Sequence, residues 1–569
     1  MTFTGYNAAP LDMRFEYGSY NTFRNQISSG MVLGKYDYYT SLTTSSTDGY
    51  RDHSDQSSFR LFSNVGAKLL ETLETRFYFT YVKALSQISG ALTKEELQEN
   101  PRQAYPDNVV NDWQKNYNFL RIANKTAWEE DENRVELQLF WDNVPLNDIM
   151  SMYMEDLIND LGVSLQWKNK TPLWGHENHF TLGCNPTYGF AQDLQYNNTG
   201  GQIDGEDSNN EQYALNVNLF MQDQFYFTDK LSLVGGSALT YARRQNVSRW
   251  VSADTMNMGM DMSNMDVAAP MDMSSMDMGA MSYSSMNGTE SYWGWSPQLG
   301  WLYDITKSAQ VFGNVSRSFS PPSFMQLVNQ NYAGIMPLQA ETATTLETGT
   351  RGHAGRYRWD LAYYYSWVEN EFLPYSVMTP TGPSSLTVNA GQTIHQGVKM
   401  ELGTTFFDGV LLSKPLSESS VLKKEFPENG LDRFYLKQVG LWNDFHFNND
   451  PTYGNNALPG IPPFYYRAEL LYEHPCGFYI GPNVEMVPVS YSVDAARTLK
   501  TDPYALLGFK IGYRPKHGFS VYLQAMNLGN KNYTATTGII PNAQAPNANL
   551  AQFFPGDGIS FYGGIEYTW

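Results

Sequence analysis

Cysteine is nearly absent. Cys184 and Cys476 are the only two in 569 residues; they form no Cys-x-x-Cys pair, which excludes a disulfide framework and leaves two isolated thiols. Also missing is any run of about 18 apolar residues, so no spanning helix is encoded. Basic residues are scarce, 38 Lys and Arg against 58 Asp and Glu, for a net charge of -20. With no basic stripe, nucleic acid is excluded as a partner. The chain contains no nucleophile elbow, Walker loop or zincin motif, so it is not expected to be an enzyme or to require a cofactor. Met1 is followed by Thr2-Phe3-Thr4-Gly5 rather than by the basic and apolar regions of a secretory signal.

What is present is alternation. In Gly558-Ile-Ser-Phe-Tyr-Gly-Gly-Ile-Glu-Tyr-Thr-Trp569, residues Ile559, Phe561, Ile565, Tyr567 and Trp569 share one face, while Ser560, Glu566 and Thr568 share the other. Leu215, Val217, Leu219 and Met221 likewise oppose Asn216, Asn218 and Gln222, and Phe519, Val521, Leu523 and Ala525 alternate with Ser520, Tyr522 and Gln524. In a bilayer no backbone polar group can go unpaired, so such strands must close into a barrel, apolar outside and polar within. Hydrophobic content of 42% and a negative mean hydropathy suit a soluble all-β protein as well. Barrel strands, however, need only about 10 half-apolar residues each. The 39 Tyr and 13 Trp fit interfacial girdles.

The expected fold is all-β, a transmembrane antiparallel barrel of about 22 strands with long extracellular loops, wide enough to need a plug. Short turns are expected at Leu33-Gly34-Lys35, Thr228-Asp229-Lys230, His353-Ala354-Gly355 and Pro475-Cys476-Gly477. Long connections are expected near 86–112, 190–211, 246–290, 325–340, 375–388, 448–462 and 534–556, all opening to one side. Residues 410–432 break this rule, being long where a short turn belongs.

Several segments, in this order, resemble the barrel of TonB-dependent outer-membrane receptors, in their siderophore and ferric-citrate branch. Phe15-Glu16-Tyr17-Gly18-Ser19-Tyr20-Asn21 is similar to the family's first strand, and Asp48-Gly49-Tyr50-Arg51 to the end of its third. Ser316-Arg317-Ser318-Phe319-Ser320-Pro321-Pro322 resembles a strand-to-loop exit, and Glu347-Thr348-Gly349-Thr350-Arg351-Gly352 an E-x-G-x-[KR]-G strand. Asn527-Leu528-Gly529-Asn530-Lys531-Asn532-Tyr533 is similar to the penultimate-strand NLxDKxY pattern, with Asn530 where Asp is usual.

The resemblance implies residence in the bacterial outer membrane as a monomer in contact with lipopolysaccharide. It implies handling of the last strand by the barrel-assembly machinery, with Trp569 the end of the chain, and TonB–ExbB–ExbD as partner through an N-terminal plug. Residues 1–10 are then a remnant of the plug-to-barrel junction and 11–569 the barrel, with 246–290 a Met-rich extracellular loop. The signal peptide, TonB box and plug that precede the barrel in this family are not in the sequence, so a fragment, a misplaced start or a split gene is expected, with a plugless pore as the alternative. The implied cargo is an iron–siderophore type complex; the alternatives are a copper receptor and a passive porin-like channel.

Residues 256–286 hold 11 of the chain's 24 Met. Thioethers are soft donors that select Cu(I), so Met256, Met258, Met260, Met262, Met271, Met273, Met276 and Met278 are candidate copper ligands. The run contains no His or Cys, which disfavours zinc, and a low-complexity loop that tolerates Met is the plain alternative. Arg243, Arg244 and Arg317 lie near expected outer strand ends, where guanidinium groups suit an anionic ligand or lipopolysaccharide. His176 and His179 read as a solvated turn, and Tyr363-Tyr364-Tyr365 as girdle and lumen lining.

Overall fold

The computed structural model describes residues 3–251, 287–328, 335–379, 382–409, 411, 431–515 and 518–569. Among them 22 strands form a single antiparallel sheet. Its first strand, Asp12–Gly18, pairs both with Thr22–Leu33 and with the last strand, Ser560–Thr568, and so closes the ring. Closure satisfies the backbone from end to end and leaves no free edge. Barrel strands pair with their sequence neighbours; only two small hairpins, Phe372–Thr379 with Gly382–Asn389 and Thr534–Thr537 with Phe553–Pro555, intervene outside the wall.

The two faces sort by solvent. Leu239, Leu299, Leu507, Leu523 and Ile565 are exposed on the outer surface. Inside, two of the buried carboxylates are paired with arginines: Arg121 reaches both oxygens of Asp142 at 2.6 and 2.5 Å, and Arg134 donates to Glu136 at 2.7 Å. Trp128, Trp167 and Trp301 are exposed near the short-turn rim, and Trp293, Trp295 and Trp367 nearer the other. These two aromatic bands bracket the apolar belt as interfacial girdles do.

The strands before and after 410–432 stay paired to their ends, Asp408 opposite Arg433, with Gly409 N–H donating to Asp432 O at 2.8 Å; residues 412–430 lie outside the described residues. At the opposite rim the expected open loop at 190–211 is instead the tips of Asn178–Thr199 and Gln202–Tyr226, joined through Gly200 and Gly201 at φ +62° and +79°. Strand tips above the bilayer need no apolar face, so their alternation of Asn, Gln and Asp hides them from a hydropathy pattern. The stretch at 375–388 is likewise the first of the two hairpins rather than open loop.

Residues 3–10 lie against the inner wall at the short-turn rim. Asn64 Nδ2 donates to Phe3 O at 2.9 Å, Gly5 N–H to Asp37 Oδ2 at 2.9 Å, and the Phe3 ring stacks on Tyr39 with centroids 5.4 Å apart. Arg76 holds Asp37 from the next strands at 2.7 and 2.9 Å. A Cβ at Gly5 would sit 2.2 Å from Met31 O, so only glycine lets the segment approach so closely.

Candidate functional site

The outer connections cross-link into a lid with cores of its own. Leu92 and Phe553, from residues 88–113 and 527–559, exchange two backbone hydrogen bonds of 2.8 and 2.9 Å and pack with buried Leu97 and Val493. A second cluster joins Leu373, Tyr375, Ala390, Phe447, Leu458 and Ala495, and a third Leu327, Met336 and Leu338. Each Leu, Val, Phe or Met among them contributes about 1.5–3 kcal/mol on full burial. Buried Asp494 ties residues 488–503 to 527–559, accepting from Leu499 N–H at 2.8 Å, Thr498 Oγ1 at 2.6 Å and Ala543 N–H at 3.1 Å. Arg51 caps Gly90 O at 2.6 Å and Gln103 O at 2.8 Å, and burial drives its guanidinium down to about 10 against the opposing pull of Asp52.

Beneath this lid lies a cavity of about 710 Å³, within the range of about 300–1,000 Å³ usual for small-ligand sites. Its wall is the inner face of five strands, Gln114–Glu130, Asn133–Ile149, Met152–Asn169, Asn178–Thr199 and Gln202–Tyr226. Register sets Lys115, Asp148, Met154 and Gln195 in one row. The next row down holds Leu146, Asp156, Asp193 and Asn210. Lys115 Nζ lies 3.0 Å from Asp148 Oδ2, while Asp148 Oδ1 is buried with no hydrogen-bond partner among the described residues. Asp193 is buried and accepts from Gln195 at 3.0 Å and Gln212 at 3.3 Å. With Asp160, four carboxylates meet a single ammonium among the described lining residues. The roof brings in Tyr105, Trp113 and Ile539, and the Trp113 indole N–H is buried there with no hydrogen-bond partner among the described residues. The arrangement suits a compact ligand that carries positive charge and offers an acceptor to Trp113.

The candidates from sequence are dispersed. Met256, Met258, Met260, Met262, Met271, Met273, Met276 and Met278 lie outside the described residues. Arg244 points inward and is buried, its guanidinium donating to Arg243 O at 3.0 Å, and sits opposite the cavity residue Ala214. Arg243 faces outward opposite Leu215 and Ser291. Arg317 also faces outward, in step with exposed Val315, 3.7 Å from Glu369 and 3.3 Å from Thr342. His179 pairs with Glu177 at 3.0 Å on the short-turn rim. Among the described residues no group of three His, Cys, Asp or Glu is arranged to hold a metal.

Sequence reasoning missed the lining methionines Met150, Met152 and Met154, although their spacing of two repeats that of the long Met run. It also missed two short helices in the lid, Lys94–Glu99 and Pro106–Val110. Thr93 and Glu96, which form a capping box, and Pro106 at a helix start were the available signals.

A family model described as TonB dependent receptor-like, beta-barrel, matches residues 3–528. The chain belongs to the TonB-dependent receptor family. It is therefore an outer-membrane barrel of the receptor and transport class and not an enzyme. Several solved transporters and import receptors share the fold at low identity. The ferric citrate transporter FecA, in its unliganded form, superposes with a TM-score of 0.74 at 13% identity over 99% of this chain and 79% of its own. The ferric-catecholate import receptor Fiu of E. coli K12 gives 0.71 at 14% over 99% and 82%. The copper transporter OprC gives 0.72 at 13% over 99% and 81%.

Proposed function

We propose that this receptor imports a small metal species or complex of net positive charge, held in the cavity beneath the lid and released inward when TonB acts through a plug. The carrying observation is the charge of the wall: Asp148, Asp156, Asp160 and Asp193 against Lys115. An anion brought within 5 Å of one uncompensated carboxylate meets a repulsion of about 3 kcal/mol at an effective dielectric constant near 20. A cation gains as much. The likeness in fold to a copper transporter is compatible with such cargo.

The second reading is an anionic ferric–siderophore complex, supported by the equal likeness to receptors for ferric citrate and ferric catecholate. Calorimetric titration of the purified full chain in detergent separates the two. Size-matched cationic complexes should bind and anionic ones should not, and Asp156→Asn with Asp193→Asn should weaken the cationic complexes only. Tighter binding of the anionic set, indifferent to both substitutions, would favour the ferric–siderophore reading instead. A passive channel would bind neither set saturably and would conduct ions in planar bilayers without TonB.

A further inference from the structure

We infer that Met150, Met152 and Met154, together with Asp148, form a binding site for a soft monovalent metal ion of the Cu(I) class at the outer end of the cavity. The inference rests on the proposed cationic cargo and narrows it to a donor set. All four residues line the same cavity. Met152 and Met154 are two apart on one strand and so point to the same face, and Met154 stands directly opposite Asp148. Met150 sits in the tight turn between the strands, where its N–H donates to Met152 O at 2.9 Å. The turn keeps the third thioether on the lining of the same cavity.

Two further observations point to a cation rather than to plain apolar packing. Asp148 has a side chain only 3% exposed, and its Oδ1 has no hydrogen-bond partner among the described residues, although Lys115 holds Oδ2. A buried carboxylate oxygen without a donor is costly unless something positive occupies the space before it. One row deeper, Asp156 and Asp193 stand directly opposite each other. The two carboxyl groups are hydrogen-bonded to each other and so share a proton, which a cation bound nearby can displace.

Thioether sulfur selects soft ions, whereas oxygen alone would favour calcium or magnesium. Unbranched, flexible Met side chains can close around an ion from a spacing of two. No redox step is required, because the ion is bound and handed on in the same oxidation state.

The test uses the purified full chain in detergent with Ag(I), an air-stable probe of Cu(I)-type sites, and methyl-labelled methionine followed by NMR. The Met150, Met152 and Met154 resonances are assigned by single Leu substitutions, which conserve volume and cost little in folding. A second background, with the methionines of 256–286 changed to Ser, removes competition from that run. One equivalent of Ag(I) should shift the three resonances together in both backgrounds. The pair Met152→Leu and Met154→Leu, and separately Asp148→Asn, should weaken Ag(I) by about 10- to 100-fold, the scale seen when groups around a metal are altered, and leave the unheated gel mobility of the folded barrel unchanged. Unmoved resonances, or an Ag(I) affinity indifferent to these substitutions, would overturn the site. Cationic complexes still bound by the Met152→Leu, Met154→Leu variant would show that the cavity reading survives while the thioether site fails.

Discussion

Phe553→Ala tests whether the lid is a folded unit separate from the barrel. Phe553 is 1% exposed and packs on Leu92, Leu97 and Val493, so its ring joins three outer connections. Truncating a fully buried Phe costs about 3–5 kcal/mol. The backbone bonds between residues 92 and 553 survive the change, so the loss falls on packing. At about 1.4 kcal/mol per tenfold, opening of the lid should become between about 100-fold and several thousand-fold more frequent. Hydrogen exchange followed by mass spectrometry reads this directly. Amides in 88–113, 488–503 and 534–555 should exchange faster by that factor, while strands such as Gly518–Met526 keep their protection. Acceleration shared equally by the barrel strands, or none in 88–113, would refute a lid with its own core.

The inner-wall anchor of residues 3–10 gives two more expectations. Asp37→Asn leaves Arg76 without its buried partner and should cost about 3–5 kcal/mol, seen as a lower midpoint in thermal melting by circular dichroism. Gly5→Ala, whose Cβ would lie 2.2 Å from Met31 O, should release the segment to protease while the melting midpoint changes far less. At the outer mouth, burial raises the Asp557 carboxyl above its ordinary value. A raised carboxyl favours the folded state while it is neutral, so its contribution is full below the unfolded pKa and is lost as pH rises through the folded one. Exchange in 527–559, corrected for intrinsic rates, should therefore be slower at pH 4 than at pH 7, and Asp557→Asn should flatten that difference.

The barrel was legible because a bilayer enforces the alternation of Leu215, Val217, Leu219 and Met221 against Asn216 and Asn218, and every residue of such a strand repeats the same message. Legibility ended where the bilayer ends. Above it the tips of Asn178–Thr199 and Gln202–Tyr226 are polar on both faces, and only Gly200-Gly201 marks the hairpin. The lid was invisible for another reason: Leu92 lies hundreds of residues before Val493 and Phe553, and no local pattern announces that the three meet. The same holds for the cavity. Asp148, Asp156 and Asp193 are unremarkable singly, and it is the strand register that sets them in adjacent rows. Arg243 and Arg244 show the limit at its plainest, since adjacent residues on a strand face opposite sides and only Arg244 turns inward.

Metal accumulation by energised cells producing the receptor separates a cationic cargo from an anionic one. Cells with and without TonB would be supplied with a cationic metal complex or an anionic ferric siderophore, for wild type and for the Asp156→Asn, Asp193→Asn variant. Saturable, TonB-dependent accumulation of the cationic species is expected, falling sharply in the variant. Uptake of the anionic complex alone, at the same rate in both proteins, would contradict it.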